Sequence, residues 1–366
     1  MRSEYLTKRS YLYPIVFLIW LITIITKFKF NGLVYGLDFG LFHPDGTLYT
    51  FRTLTWMGKS QEQAGLEVAN WYSNHAHKMK DIDPSALFYD SNPNWQFYKI
   101  RLLYSFLSLP FVYFLGINGM LVVPALSYLG VLLIILEIGI AKQRILLSLS
   151  LVFAFSISGT VTRWMFINTT DSLFVFLGSL ATILLLRHNA SRWWLVAQLS
   201  LVVLMSLTRV SIFFWLPVAL ALFFQSRIRA ILIAVISLAA FSPVLFMDPQ
   251  KAFMPGVEDG SLGMKVEKFI PNGLRVLVYE LGQLLVMDRL LLLILLATII
   301  LSFRFIHSSS SKFLLFLGSG LFFMGAVNGT VGVNFRYQLP AIAAMSWVLI
   351  DHLPRMTRDS NSRVDG

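Results

Sequence analysis

Apolar runs broken by short polar connections set the rhythm of this chain, at 11–26, 102–115, 120–140, 146–159, 173–186, 193–207, 212–224, 231–246, 290–303, 313–327 and 339–350. Barrel strands alternate apolar and polar side chains over about 10 residues, and these runs do not, so each predicts a helix. About eleven helical segments are expected, with ends uncertain by a few residues. Several are short for a full crossing of a bilayer, which takes about 20 residues.

Composition turns this pattern into a fold class. With 56% hydrophobic and 13% charged residues and a mean hydropathy of +0.69, the chain has too little polar surface to cover a soluble globule. The expectation is an all-α, polytopic transmembrane bundle of about 10–11 segments, one transmembrane domain over 1–366, in a bacterial inner or plasma membrane. The first run follows MRSEYLTKRS and lacks a small-residue cleavage site, so it reads as a retained helix. The net charge of +11 is spread singly and in pairs over the connections, the positive-inside pattern and not a nucleic-acid surface. The absence of cysteine excludes disulfides, thiolate nucleophiles and Cys-ligated metals.

Lys142 with Arg144, Arg187 with Arg192, Arg227 with Arg229, Arg304 with Lys312, and Arg355, Arg358 and Arg363 alternate regularly, which assigns those connections to the cytoplasm. The opposite face then carries a large first loop at 27–101 and the connections 160–172, 208–210, 247–289 and 328–338. The first loop has an amphipathic stretch at 63–72, a belt of aromatic residues and a DSNPN turn at 90–94. The second large loop, 247–289, reads as a mobile cover over a site or as a plain connector. Helix parity between 27 and 140 fails unless 102–115 is re-entrant or lies along the interface, or an extra crossing hides at 28–42.

Candidate chemistry gathers on that opposite face. The stretch 36–52, GLDFGLFHPDGTLYTFR, holds Asp38 and Asp45 beside His43, Tyr49 and Arg52. Pro44-Asp45-Gly46 reads either as a turn that exposes the carboxylate or as the cap of a helix near Thr47. Asp171 precedes an apolar run as a helix cap would. Arg163, Arg209 and Arg336 break the basic-loop rule, and an arginine in such a place pairs with a phosphate or with one of the acids. His75, His77, Asp81 and Asp83 lie close together without zinc spacing, so no metal is assigned to them. The sequons at Asn168 and Asn328 carry no meaning without a known compartment.

These motifs together resemble the GT-C superfamily of membrane glycosyltransferases that use polyprenyl-phosphate-linked sugars. FHPDG at 42–46 is similar to a His-Pro-Asp-Glu first-loop signature of mannosyltransferases in that group, with Gly46 in place of the second acid. YKIRLLYSFLSLPF at 98–111 resembles a Tyr-Arg-x-Arg-Pro-Leu segment, TTDSLF at 169–174 a Thr-Asp-x-Leu segment, and NFRYQLPAIAA at 334–344 an Arg-Tyr-x-x-Pro segment. The resemblance implies transfer of a hexose or pentose from a polyprenyl-phosphate donor to a glycan or lipid acceptor at the non-cytoplasmic face, with membrane lipids around it and no nucleic acid. It implies Asp45 as the base of an inverting displacement, with Asp38 in reserve. Arg336 with Tyr337, Arg209 and Arg163 would meet phosphate, and Asp171 would bind sugar hydroxyls or hold an arginine. His43, Tyr49 and Arg52 complete the substrate-binding candidates. Family members suggest a divalent cation, Mg or Mn, which Gly46 puts in question. A polytopic transporter or lipid flippase is the rival reading, since charges in a helical bundle also mark translocation paths.

Overall fold

The computed structural model describes residues 2–30, 41–75, 82–90, 95–98, 100–186, 192–209, 211–223, 225–245, 262–328 and 336–361. Asp38, His77, Asp81 and 247–261 lie outside them, as does most of the proposed extra crossing at 28–42. Every regular element among the described residues is helical. In chain order these are α1 (Arg2–Phe30), α2 (Asp45–Trp56), α3 (Gln61–His75), α4 (Trp95–Tyr98), α5 (Leu103–Leu115), α6 (Val122–Ala141), α7 (Ile145–Ile157), α8 (Gly159–Phe166), α9 (Asp171–Leu186) and α10 (Arg192–Ser206). There follow α11 (Ile212–Phe223), α12 (Arg227–Leu245), α13 (Leu262–Met287), α14 (Arg289–Arg304), α15 (Ser309–Asn328) and α16 (Ile342–Asn361).

Each apolar run lies in a helix, but length separates them. Arg9–Lys27 and Leu103–Ala141, the latter turning at Gly116–Leu121, are long and apolar enough to cross a membrane. Ile145–Ile157 with Gly159–Phe166 makes a third if the pair, bent by 72°, counts as one span. The apolar helices Asp171–Leu186, Trp193–Ser206, Ile212–Phe223 and Leu339–Leu353 are shorter. At 1.5 Å per residue a 16-residue helix reaches about 24 Å, less than a hydrocarbon core of about 30 Å. Among the described residues two or three helices are therefore long and apolar enough to span, fewer than the number of runs.

Two stretches read as outer connections are helical instead. The connection 160–172 contains most of α8, and from Leu262 the second large loop is the 26-residue α13. Both meet at one buried carboxylate. Asp288 Oδ2 accepts from Ser158 Oγ at 2.5 Å and from Thr160 N–H at 3.0 Å, while its Oδ1 caps α14 through Leu291 N–H at 3.1 Å.

One large core joins the helices. α6 packs against α9, α7, α1 and α16, and α11 lies between α12 and α15. A Cβ at Gly320 would fall 2.1 Å from the Phe213 carbonyl oxygen, so α15 meets the start of α11 backbone to backbone, a close approach that only glycine permits. Glu137 on α6 takes Arg9 at 2.6 Å and Tyr13 at 2.5 Å from α1. Large apolar side chains remain on the outside, Phe114 at 79% and Leu146 at 82% exposure among them. Water would not stabilise such a face.

Candidate functional site

Asp45 is the first residue of α2, after Pro44, and no side-chain bond caps that helix. Its carboxylate is thus left for another partner, which arrives from 291 residues further along. Arg336, just before the turn Leu339–Ala341, donates from Nη2 to Asp45 Oδ2 at 3.0 Å. The same guanidinium grips Asp171, at the start of α9, through Nε to Oδ1 at 2.8 Å and Nη2 to Oδ2 at 2.7 Å. Arg209, in the turn between α10 and α11, also donates to Asp171 Oδ1, and Thr169 Oγ1 donates to Asp171 Oδ2 at 2.6 Å. Asp171 is 3% exposed. A carboxylate so buried needs both guanidinium groups to hold its charge.

The loop before α9 fixes this cluster to α2. Asn168, fully buried, accepts from the His43 backbone N–H at 2.8 Å, donates to the Tyr72 hydroxyl, and donates its own backbone N–H to Leu41 O at 3.1 Å. The Tyr72 hydroxyl in turn meets Thr50 at 3.1 Å. A Cβ at Gly46 would stand 2.1 Å from Asn168 Nδ2, so the tight approach of α2 to this amide favours glycine there. Asn168 is therefore a structural amide in the folded chain, fully buried and bonded to Tyr72. The Asn328 side chain lies outside the described residues.

Charge and burial compete at the rim. Burial works against ionising Asp45, yet Arg336 and then His43 outweigh it and hold the carboxyl below its ordinary range. Burial, ahead of every charge nearby, pushes the His43 imidazole down. The Asp45 backbone N–H donates to His43 Nδ1 at 3.2 Å, which assigns the ring proton of the neutral form to Nε2. Trp164 on α8 underlies both groups: the Arg336 guanidinium sits 4.6 Å from its ring and His43 5.8 Å.

Of the residues singled out in the sequence, Asp45, His43, Asp171, Arg209 and Arg336 come together. Tyr337 lies beneath the Arg209 guanidinium at 5.0 Å. Tyr49 borders the cluster, its hydroxyl 3.4 Å from Thr170 Oγ1. Arg163 stacks on Trp164 at 5.4 Å and lies within electrostatic reach of His43. Arg52 is not brought in. Its buried guanidinium packs 4.9 Å from Trp95 and donates to the Arg101 carbonyl at 3.2 Å. Asn168, Trp164, Tyr72 and Arg101 were missed as site residues, although Arg101 stands inside the quoted YKIR motif and Trp164 follows Arg163.

A divalent cation does not fit these residues. Among the described residues no three His, Cys, Asp or Glu side chains converge, and both acids of the cluster are already bound by guanidinium. His75 is occupied elsewhere, stacked on Trp71 at 3.9 Å with Nδ1 2.8 Å from the Trp71 carbonyl. The chain matches no family model, no curated protein and no solved structure.

Proposed function

We propose that this chain is a polytopic, all-helical membrane glycosyltransferase that moves a sugar from a polyprenyl-phosphate donor to a glycan or lipid hydroxyl at the non-cytoplasmic face. Asp45 is the base. Its Oδ2 is held by Arg336, its Oδ1 has no partner among the described residues, and 36% of its side chain is exposed. The acceptor hydroxyl gives its proton to Oδ1 while its oxygen bonds to the anomeric carbon. The bond from that carbon to the phosphate oxygen breaks, the electron pair leaves with the phosphate, and the configuration inverts. A carboxylate held below its usual pKa stays ionised but is a weak base, so its proton transfer belongs late in the displacement. Positive charge fixed beside the departing phosphate lowers the barrier as charge grows there.

One observation carries this reading. The first loop and three other connections that the basic-residue alternation assigns to a single face meet around Asp45, Arg336, Asp171 and Arg209. An apolar cavity of about 410 Å³ between α13, α14 and α15, lined by Leu281, Ile299, Leu314 and Phe322 among others, reaches Gln338, two residues from Arg336. It supports a lipid-linked substrate, and the apolar exterior supports a bilayer around the bundle. Asp45→Asn is expected to cut sugar transfer from a polyprenyl-phosphate donor by about 10²–10⁴-fold, the usual share of a general base, at normal expression. Retained transfer, with substrate uptake altered, would favour a transporter instead.

A further inference from the structure

Arg336 and Arg209 are largely consumed inside the cluster. Asp171 takes two bonds from Arg336 and one from Arg209, and Asp45 takes a further one from Arg336. Arg101 differs. Its Nη1 donates to the Tyr49 hydroxyl at 3.4 Å, its guanidinium lies 5.3 Å from the Tyr98 ring, and its Nε–H is buried with no acceptor. Among the described residues no carboxylate is within ion-pairing distance of it. A buried N–H without an acceptor is costly unless a ligand supplies one.

Its place is well defined. The Tyr49 hydroxyl that receives Arg101 also meets Thr170, the residue before Asp171, and Asp45 is within electrostatic reach. The Arg101 N–H donates to Tyr98 O at 3.0 Å, its carbonyl accepts from Arg52, and Leu103 N–H, two residues on, donates to Leu207 O at 3.1 Å beside the Arg209 turn. Arg52 thereby acts as a prop for the Arg101 backbone.

We infer that Arg101 receives the phosphate of the lipid-linked substrate, an inference that rests on the sugar-transfer reading of the same site. A guanidinium that keeps an N–H without an acceptor and has no carboxylate partner among the described residues matches phosphate oxygens in geometry and charge. An isoprenoid phosphate and free inorganic phosphate share that chemistry, and the experiment separates them.

The full chain in lipid nanodiscs is titrated with farnesyl phosphate, farnesol and inorganic phosphate. The wild type is expected to bind farnesyl phosphate at least about tenfold more tightly than farnesol, with inorganic phosphate a poor competitor. Arg101→Cys is expected to abolish that preference and leave farnesol binding unchanged. Because the chain has no other cysteine, a cationic aminoethyl methanethiosulfonate adds charge at that position alone and is expected to restore the preference, whereas the anionic sulfonatoethyl reagent is not. If Arg101→Cys loses its helical circular dichroism, Arg101→Gln replaces it: lost preference supports the assignment and kept preference overturns it. Equal rescue by both reagents also overturns it. Effective competition by inorganic phosphate overturns the lipid-linked class of ligand. A wild type that does not distinguish farnesyl phosphate from farnesol sinks the sugar-transfer reading along with it.

Discussion

At the scale of single residues, Gly46 decides the site more than its size suggests. In an exposed helix interior, replacing glycine by alanine gains about 1 kcal/mol. Here the added methyl would meet Asn168, which is pinned by His43 and Tyr72. Gly46→Ala is therefore expected to cost about 1–3 kcal/mol, the range for overpacking, read as a lower melting temperature together with reduced activity. Acid acts on two neighbours in one direction. The lowered Asp45 pKa means that its ion pair contributes above the ordinary carboxylate value and is lost as pH falls through the folded one. His43 is also lowered, so from its ordinary 6.5 downward the unfolded chain takes up the proton first and stability falls. Melting curves from about pH 7.5 to 5 should show this first loss, and His43→Gln should flatten it. The acid at Asp45 was legible because Pro-Asp-Gly is a local signal. Asn168 was not, because its role depends on Tyr72 and His43, which are distant in sequence.

At the scale of elements, the runs of apolar residues located the helices, while the polar stretches concealed α8 and α13. Periodicity does not register a helix that begins at a bend of 72°, and α13 carries charges and a proline that resemble a loop. Asp288 is what makes these elements coherent, since one carboxylate terminates two helices at once. Asp288→Ala removes the cap of α14, worth about 1 kcal/mol, and strands the Ser158 hydroxyl and the Thr160 N–H at about 1–3 kcal/mol more. The expected loss is about 2–4 kcal/mol in reversible unfolding, with Asp288→Asn losing less because it keeps a capping oxygen.

At the scale of the whole molecule, the alternation of basic residues grouped the polar connections by side, and the structure brings several of them to one place. Helix length was less legible, because a run of apolar residues shows that a segment avoids water and not how far it reaches. The missing cysteine makes sidedness testable. Glu62→Cys on α3 and Ser309→Cys at the start of α15 are both exposed positions. In intact cells a membrane-impermeant maleimide is expected to label the first and not the second, and labelling of both without lysis would overturn the assigned topology. The ion pair between Arg336 and Asp45 spans 291 positions, and this has a consequence for biogenesis. A ribosome has already released the whole acidic half of the centre into the translocon before the arginine that closes it is made. Nascent chains arrested short of residue 336 would hold Asp45 without its clamp, so the centre is assembled only when synthesis has nearly finished.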